Sequence, residues 1–436
     1  MEPQKILLRL FSKRSIAALS YVAAAIVTGA ACVGFMRLFE VVLRHRLDLT
    51  SVGAVAWLVT PLGFFVIVWA IRKIAPFSAG TGIPQAVYAA EHFKPQYEVR
   101  LMPLVSFRTL FMKCTTLLAA VAVGASTGRE GPTVHIALCV FCLTLFGIRR
   151  LTGLKFEMRS AIVAGGAAGL AAAFNTPLAG VAFAIEELSS DVFHSMKEIV
   201  LIAIIVAAIT AKAITGDYVY FGKLESMGDL SLFSIVFIAL VAGLLGALFS
   251  TLLWKGQRWI QQKTQGRKIF WAVPVLFGLG LVALSALSRL DVMGPGNVLA
   301  KRLLDGETVA GIAFFPLGKI LSTLFTFWSG LAGGIFAPCL SIGAAVGSAL
   351  APLLHAPLAS AALIGMAAFL AGTIQAPMTC FIIVFEMTED HHLLLPVMLA
   401  CLIAVVVARL TGSHHLYKRL ASFYQDLFAL PVESKN

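Results

Sequence analysis

Three glycine-rich segments of the chain end in proline, and each immediately precedes an apolar run. They are Gly80-Thr81-Gly82-Ile83-Pro84, Gly128-Arg129-Glu130-Gly131-Pro132 and Gly334-Ile335-Phe336-Ala337-Pro338. Proline suits the first turn of a helix, because its missing N–H would have no partner there in any case. Each segment therefore predicts a helix N-terminus, which carries a partial positive charge and several free amides. Each segment alone fits an ordinary turn, but three ends that meet would bind an anion without a cationic side chain.

Glu130 is an acidic residue inside one of these segments. A carboxylate in a membrane segment is costly, so it indicates a functional site, although a helix-capping role is the alternative. Ionised, Glu130 can occupy the place that an anion would take at the helix end, and protonated it can move away. Its neighbour Arg129 is expected to be a structural partner or a charge at the mouth of a pathway rather than a ligand.

Glu186 and Glu187 end a short apolar segment. Adjacent residues on a helix point about 100° apart, so the two carboxylates are expected to have different roles. An internal alignment pairs Glu186 with Glu386, which favours a structural role for that position. Glu187 pairs with Met387 and is therefore the better candidate for proton transfer.

The composition excludes a soluble enzyme and a disulfide-stabilised secreted domain. Of 436 residues, 59% are hydrophobic and 13% charged, and the mean hydropathy is +0.90. Soluble domains are typically about 45–50% apolar and about 25% charged. The seven cysteines lie in apolar stretches and are interpreted as packing residues. The fold class predicted is an all-α polytopic membrane protein with many tilted and broken helices.

The net charge of +12 does not favour nucleic acid as a partner, because the basic residues are clustered in short connections between apolar runs. Such connections mark the cytoplasmic face of a membrane protein and attract anionic lipids. The predicted location is the bacterial inner membrane, with both termini cytoplasmic. The run that starts at Ser15 is too long for a cleavable signal and is interpreted as the first membrane helix.

The chain contains an internal repeat. When Lys113 is aligned with Lys319, Gly128 falls on Gly334 and Pro132 on Pro338 without a gap. Interrupted helices at matching places in two halves are typical of secondary transporters, with the binding site between the halves. The predicted organisation is a cytoplasmic segment 1–14, a first half 15–215, a connection 216–229, a second half 230–412, and a C-terminal helix with a cytoplasmic tail, 413–436.

Taken together, these motifs resemble the CLC family of chloride channels and anion/proton antiporters. The motifs that carry the resemblance are GTGIP (80–84), GREGP (128–132), IEE (185–187), GIFAP (334–338) and the pair Leu416-Tyr417. They occur in the family order and span nearly the whole chain. On periodicity alone Tyr417 would not be singled out, since a tyrosine after an apolar run usually lies at the membrane interface.

The resemblance implies a homodimer in a lipid bilayer, with one pore per subunit built from two inverted halves. It implies an anion bound by the hydroxyls of Thr81 and Tyr417 and by the amides of Ile335 and Phe336. It makes Glu130 the gating glutamate and Glu187 the internal proton-transfer residue. The other residues of the three glycine–proline segments would form the helix ends around the ion.

One position departs from the family pattern. The family usually has serine where this chain has Thr81, which keeps the hydroxyl but adds a methyl group beside the ion. Chloride is favoured as the anion because Tyr417 matches the chloride-type pattern, while fluoride and nitrate remain open. No cofactor is expected beyond the transported anion and protons.

Three functions compete as interpretations of the sequence. The first is proton-coupled chloride antiport, in which Glu130 alternates between blocking the anion site and carrying a proton. The second is a passive, voltage-gated chloride channel on the same fold. The third, an intramembrane enzyme using Glu130 with His135 or Arg129, is disfavoured because no nucleophile–base set or metal cluster is evident.

Overall fold

A computed structural model describes residues 13–46, 53–216, 219–222, 228–264, 266–288, 290–389 and 391–428. Most of the predicted N-terminal segment, parts of the connection 216–229 and the end of the predicted tail therefore lie outside the described residues. So does Asp390. The described chain is helical, with only isolated bridges between extended residues and no β-sheet.

The α-helices fall into two successive runs. The first run consists of α1 (Lys13–Arg44), α2 (Ala56–Ile74), α3 (Ile83–His92), α4 (Glu98–Leu101), α5 (Phe107–Ala122), α6 (Glu130–Thr152), α7 (Met158–Phe174), α8 (Pro177–Phe183) and α9 (Ser190–Thr215). The second consists of α10 (Leu232–Thr264), α11 (Ala272–Leu287), α12 (Asn297–Leu304), α13 (Phe315–Trp328), α14 (Phe336–Leu350), α15 (Leu358–Ile374), α16 (Pro377–Thr388), α17 (Leu394–Leu410), α18 (Leu416–Ala421) and α19 (Phe423–Phe428). A π-helical turn, Ala184–Leu188, continues α8.

Membrane-spanning character is clear from helix length and composition. Seven helices in the described ranges are long and apolar enough to cross a membrane. Others, such as α14 and α16, are apolar but shorter than the roughly 20 residues that a span needs. Short helices that start in mid-bilayer are tolerated where protein surrounds their ends. The chain is an integral membrane protein, and the predicted mixture of long and interrupted helices is confirmed.

Small residues allow the central helices to pack with their backbones almost in contact. A Cβ atom at Gly347 of α14 would lie 1.8 Å from the Ala361 carbonyl oxygen of α15. A Cβ atom at Gly169 of α7 would lie 2.3 Å from the Ala137 Cβ of α6. Helix association in lipid depends on such close packing, because apolar contact alone has no advantage over lipid. Close packing thus joins α14 to α15 and α6 to α7.

Candidate anion site

The three glycine–proline turns meet at one place. The Gly80 amide donates to the Leu331 carbonyl at 2.9 Å, and the Gly333 amide donates to the Gly80 carbonyl at 3.0 Å. Gly128 and Gly334 exchange both of their backbone hydrogen bonds, at 2.8 and 2.9 Å. Two short bridges between distant loops thus bring the starts of three helices together. The expected convergence of α3, α6 and α14 is therefore observed.

Glycine is required in these turns because the backbones touch. A Cβ atom at Gly131 would lie 3.1 Å from the Thr81 carbonyl oxygen, and one at Gly334 would lie 3.0 Å from the Gly128 carbonyl oxygen. Gly80 and Gly82 have φ angles of +65° and +97°, which residues with a side chain rarely adopt. The helix ends can approach each other only with these residues.

Glu130 is the first residue of α6, and its side chain is buried at this meeting point. A Cβ atom at Gly128 would lie 2.3 Å from Glu130 Oε2 and 3.4 Å from the Ala337 amide nitrogen. The carboxylate therefore lies beside the first turn of α14, where amides have no partner within the helix. Glu130 occupies the kind of position that an anion would take.

The four residues expected to bind the anion are all buried, but they surround the site in different ways. The Thr81 hydroxyl accepts a hydrogen bond from the Ile83 amide at 3.3 Å. Ile335 and Phe336 form the start of α14. Tyr417 stacks on the Phe336 ring, with centroids 6.2 Å apart and planes at 11°, and its hydroxyl has no hydrogen-bond partner among the described residues.

Arg129 forms an ion pair rather than facing the turns. Its Nη1 lies 2.7 Å from Glu40 Oε1, and its guanidinium carbon lies 5.8 Å from the centroid of the Tyr220 ring. Both contacts are made to residues outside the three turns. The ion pair with Glu40 fits the alternative of a structural partner, and the role of Arg129 in transport stays a prediction.

Glu186 and Glu187 differ as expected for neighbours on a helix. Glu186 accepts hydrogen bonds from the Met378 and Thr379 amides at the start of α16, at 3.0 and 2.7 Å. Glu187 is buried, and neither of its carboxylate oxygens has a hydrogen-bond partner within the described part of the chain.

Two buried lysines support the loops around the site, although in the sequence they serve only as the reference points of the repeat. Lys113 Nζ donates to the Ala79 and Gly80 carbonyls at 3.2 and 2.8 Å. Lys319 Nζ donates to three consecutive carbonyls, those of residues 292–294, at 2.6 to 3.1 Å. A lysine in an apolar run is costly in lipid, and that signal alone marks both positions.

Other candidate groups do not join the site. His135 is buried, and its Nε2 lies 2.8 Å from the Leu104 carbonyl oxygen instead of facing Glu130. The described residues contain no cluster of three or more potential metal ligands. Cys139 and Cys142 are buried free thiols, like most of the other cysteines.

Comparison with known proteins assigns the family. The family model described as "Voltage gated chloride channel" matches residues 62–409. H(+)/Cl(-) exchange transporter ClcA from Citrobacter koseri is 31% identical over 90% of this chain and 85% of its own length. The protein of that name from Cronobacter sakazakii is 31% identical over 91% of this chain and 87% of its own length.

Solved structures give the same result for the fold. A slow cyanobacterial Cl-/H+ antiporter superposes with a TM-score of 0.79 at 25% identity, covering 96% of this chain and 99% of its own. A CLC-type fluoride/proton antiporter superposes with a TM-score of 0.74 at 21% identity, covering 92% of this chain and 96% of its own, which supports the fold alone. With these matches and the meeting of the three helix ends, the chain belongs to the CLC family of voltage-gated chloride channels and antiporters.

Proposed function

We propose that this protein exchanges chloride for protons across the membrane. The observation that carries the proposal is the position of the Glu130 carboxylate beside the first amides of α14, where α3 and α6 also begin. Partial positive charge at helix ends binds anions without the strong attraction of a full cation, which permits release. The names of the relatives support a proton-coupled antiporter.

The exchange follows from competition for one set of amides. When ionised, Glu130 blocks the site. When it takes up a proton from one side, it becomes neutral and leaves, and the anion binds at Thr81, Tyr417 and the amides of Ile335 and Phe336. The proton then passes to Glu187 and leaves on the opposite side, after which the ionised Glu130 can return and displace the anion.

Glu130→Gln tests this mechanism in liposomes. The variant is expected to lose proton uptake driven by a chloride gradient while it continues to pass chloride, because glutamine neither titrates nor blocks as an anion. Glu98→Gln, which changes a half-buried acid paired with Arg149 on the surface, is the matched control. Proton pumping by Glu130→Gln against a chloride gradient would overturn the proposal.

The identity of the anion is proposed from two residues. Tyr417 fits the chloride-type pattern, and Thr81 keeps a hydroxyl beside the ion. Fluoride is the second candidate, because Thr81 departs from the usual serine and a fluoride/proton antiporter shares the fold. Efflux of chloride and fluoride from the same proteoliposomes, with the external pH recorded, decides between them.

A passive channel is the alternative mechanism. It would conduct the anion without any accompanying movement of protons, so the pH recording separates it from exchange in the wild-type protein. We further propose a homodimer with one pore per subunit, located in the bacterial inner membrane with cytoplasmic termini. The basic residues Arg149 and Arg150 in the last turn of α6 support that orientation.

A further inference from the structure

One oxygen of Glu130 is bound by a side chain that no sequence motif marked. Tyr220 Oη donates to Glu130 Oε1 at 3.1 Å, and Asn297 Nδ2 donates to Tyr220 Oη at 2.6 Å. Tyr220 belongs to the short segment 219–222, and Asn297 is the first residue of α12. A relay of two hydrogen bonds thus connects Glu130 with two segments outside the three glycine–proline turns.

The Tyr220 ring is fixed from several sides. Its centroid lies 5.5 Å from that of Phe174 in an edge-to-face arrangement, and the Arg129 guanidinium lies over it. The neighbouring Phe221 amide donates to the Met387 carbonyl at 3.1 Å, which ties the segment to the end of α16. The hydroxyl is therefore held at a defined place.

Asn297 is fixed as well, through the buried Lys319. Lys319 Nζ donates to the Gly294 carbonyl at 2.6 Å, three residues before Asn297. A Cβ atom at Gly296 would lie 2.4 Å from Ser341 Oγ and 3.3 Å from Lys319 Cε, so this turn is packed tightly against α13 and α14. The backbone from which Asn297 extends is therefore closely packed at the start of α12.

The relay lies between Glu130 and a cavity. A cavity of about 460 Å³ is lined by Phe39, Glu40, Arg129, Tyr220, Asn297 and Lys301, among others. Its charged groups pair with each other or with neighbours, Arg129 with Glu40 and Lys301 with Asp305. Tyr220 thus lines this cavity and also donates a hydrogen bond to Glu130.

We propose that Tyr220 and Asn297 are positioning residues that hold the Glu130 carboxylate in the anion site and so set how strongly it competes with the anion. A hydroxyl that donates to an ionised carboxylate makes a stronger hydrogen bond than one between neutral groups. Donation from Asn297 to the same hydroxyl polarises it further. The inference rests on the proposed competition between Glu130 and the anion, but not on proton coupling.

A double-mutant cycle on chloride affinity tests the proposal. Chloride binding is measured by titration calorimetry at one pH in the wild type, Tyr220→Phe, Glu130→Gln and the double variant. Tyr220→Phe is expected to tighten the chloride Kd about five- to tenfold, because a weakened carboxylate competes less well. In the Glu130→Gln background the same substitution should change the Kd by less than about twofold, since the two positions are coupled.

Two further variants separate positioning from a general structural effect. Asn297→Ala is expected to tighten the chloride Kd by about two- to threefold, and to add nothing to Tyr220→Phe. Tyr88→Phe removes another buried tyrosine hydroxyl, on α3 and outside the relay, and should leave the Kd unchanged. Equal effects of Tyr220→Phe in both backgrounds, or no effect in the wild type, would overturn the positioning role.

The cycle also distinguishes this inference from the function on which it rests. If Glu130→Gln binds chloride no more tightly than the wild type, there is no competition, and the proposed exchange mechanism fails together with the relay. If Glu130→Gln binds more tightly while Tyr220→Phe does not, only the relay is wrong.

Discussion

The ends of α8 and α16 share a sequence pattern, and its first acidic position has the same role at both ends. Glu186, just after α8, accepts hydrogen bonds from the first amides of α16. Glu386, near the end of α16, accepts them from the Leu178 and Ala179 amides of α8 at 3.1 and 2.8 Å. The two short helices are therefore antiparallel, and the glutamate at the end of each caps the N-terminus of the other. A carboxylate at these positions meets a requirement of the fold.

The next position differs between the two ends. Glu187 is a buried carboxylate, whereas Met387 is buried and apolar, and its carbonyl oxygen accepts a hydrogen bond from the Phe221 amide. Because the helices are antiparallel, the two residues lie at opposite ends of the pair. The repeat therefore supplies a symmetric frame, and an acid at one end only makes the two ends of the pair chemically unlike.

The two lysine-supported turns give a second comparison. Lys113 binds the carbonyls before and at Gly80, and Lys319 binds those around Gly294. In each turn two glycines with positive φ precede a helix, Gly80 and Gly82 before α3, and Gly294 and Gly296 before α12. The middle residue is Thr81 in one turn and Pro295 in the other, so only the first turn presents a hydroxyl.

The largest effect on transport is expected from removing the Glu187 carboxylate, which has the apolar Met387 as its counterpart. Glu187→Gln should reduce proton flux by about a hundredfold or more while chloride flux continues, since a positioned proton-transfer group is lost. The measurement is external pH and chloride efflux from the same proteoliposomes. Met387→Leu, at the aligned position of the other end, should leave both fluxes unchanged. Undiminished proton flux in Glu187→Gln would show that the asymmetry has no part in coupling.

The buried lysines are expected to rank next, with an effect on stability. Lys319→Met should lower the free energy of unfolding by about 2–3 kcal/mol, because three buried carbonyls lose their hydrogen-bond donor. Lys113→Met should cost less, about 1–2 kcal/mol, since two carbonyls rather than three are affected. Thermal unfolding in detergent measures both. A larger loss for Lys113→Met would contradict this ranking.

Glu186 and Glu386, which cap each other's helix, should each contribute less to the free energy of unfolding than Lys319 does. Glu186→Gln is expected to lower stability by about 1–2 kcal/mol, and Glu386→Gln by about 1 kcal/mol, because an amide side chain replaces a charged acceptor. Glu186 has the larger value since the Thr379 hydroxyl also donates to it, at 2.8 Å. Unfolding midpoints in detergent compare the two variants with Glu98→Gln. Loss of proton coupling without loss of stability in Glu186→Gln would assign it a transport role instead.

The smallest effect is expected at Thr81, whose hydroxyl has no counterpart in the turn before α12. Thr81→Ser keeps the donor and removes a methyl group, so the ratio of chloride to fluoride flux should change by no more than about threefold. Thr81→Ala removes the hydroxyl and should change that ratio more. Paired efflux assays with the two ions provide the measurement, and identical ratios in all three proteins would exclude a part for Thr81 in selectivity.

The amino-acid sequence alone specifies the membrane class, the family and the three helix starts. Each of these depends on local information, since apolar length, proline at a first turn and glycine before it act within a few residues. The internal repeat also pairs Glu186 with Glu386, although an alignment does not reveal that each caps the other's helix. The roles assigned to Glu130, Glu187, Thr81 and Tyr417 stay predictions for the transport assays above.

Which side chains meet depends on the tertiary structure. Tyr220 lies 90 residues from Glu130 and Asn297 a further 77 from Tyr220, and neither belongs to a motif with a recognisable spacing. Arg129 likewise finds Glu40 across 89 residues. Hydrogen bonds of this kind depend on how packed helices place distant loops, and no periodicity in the chain encodes that placement. Local sequence thus specifies where helices begin, and packing specifies what holds the carboxylate between them.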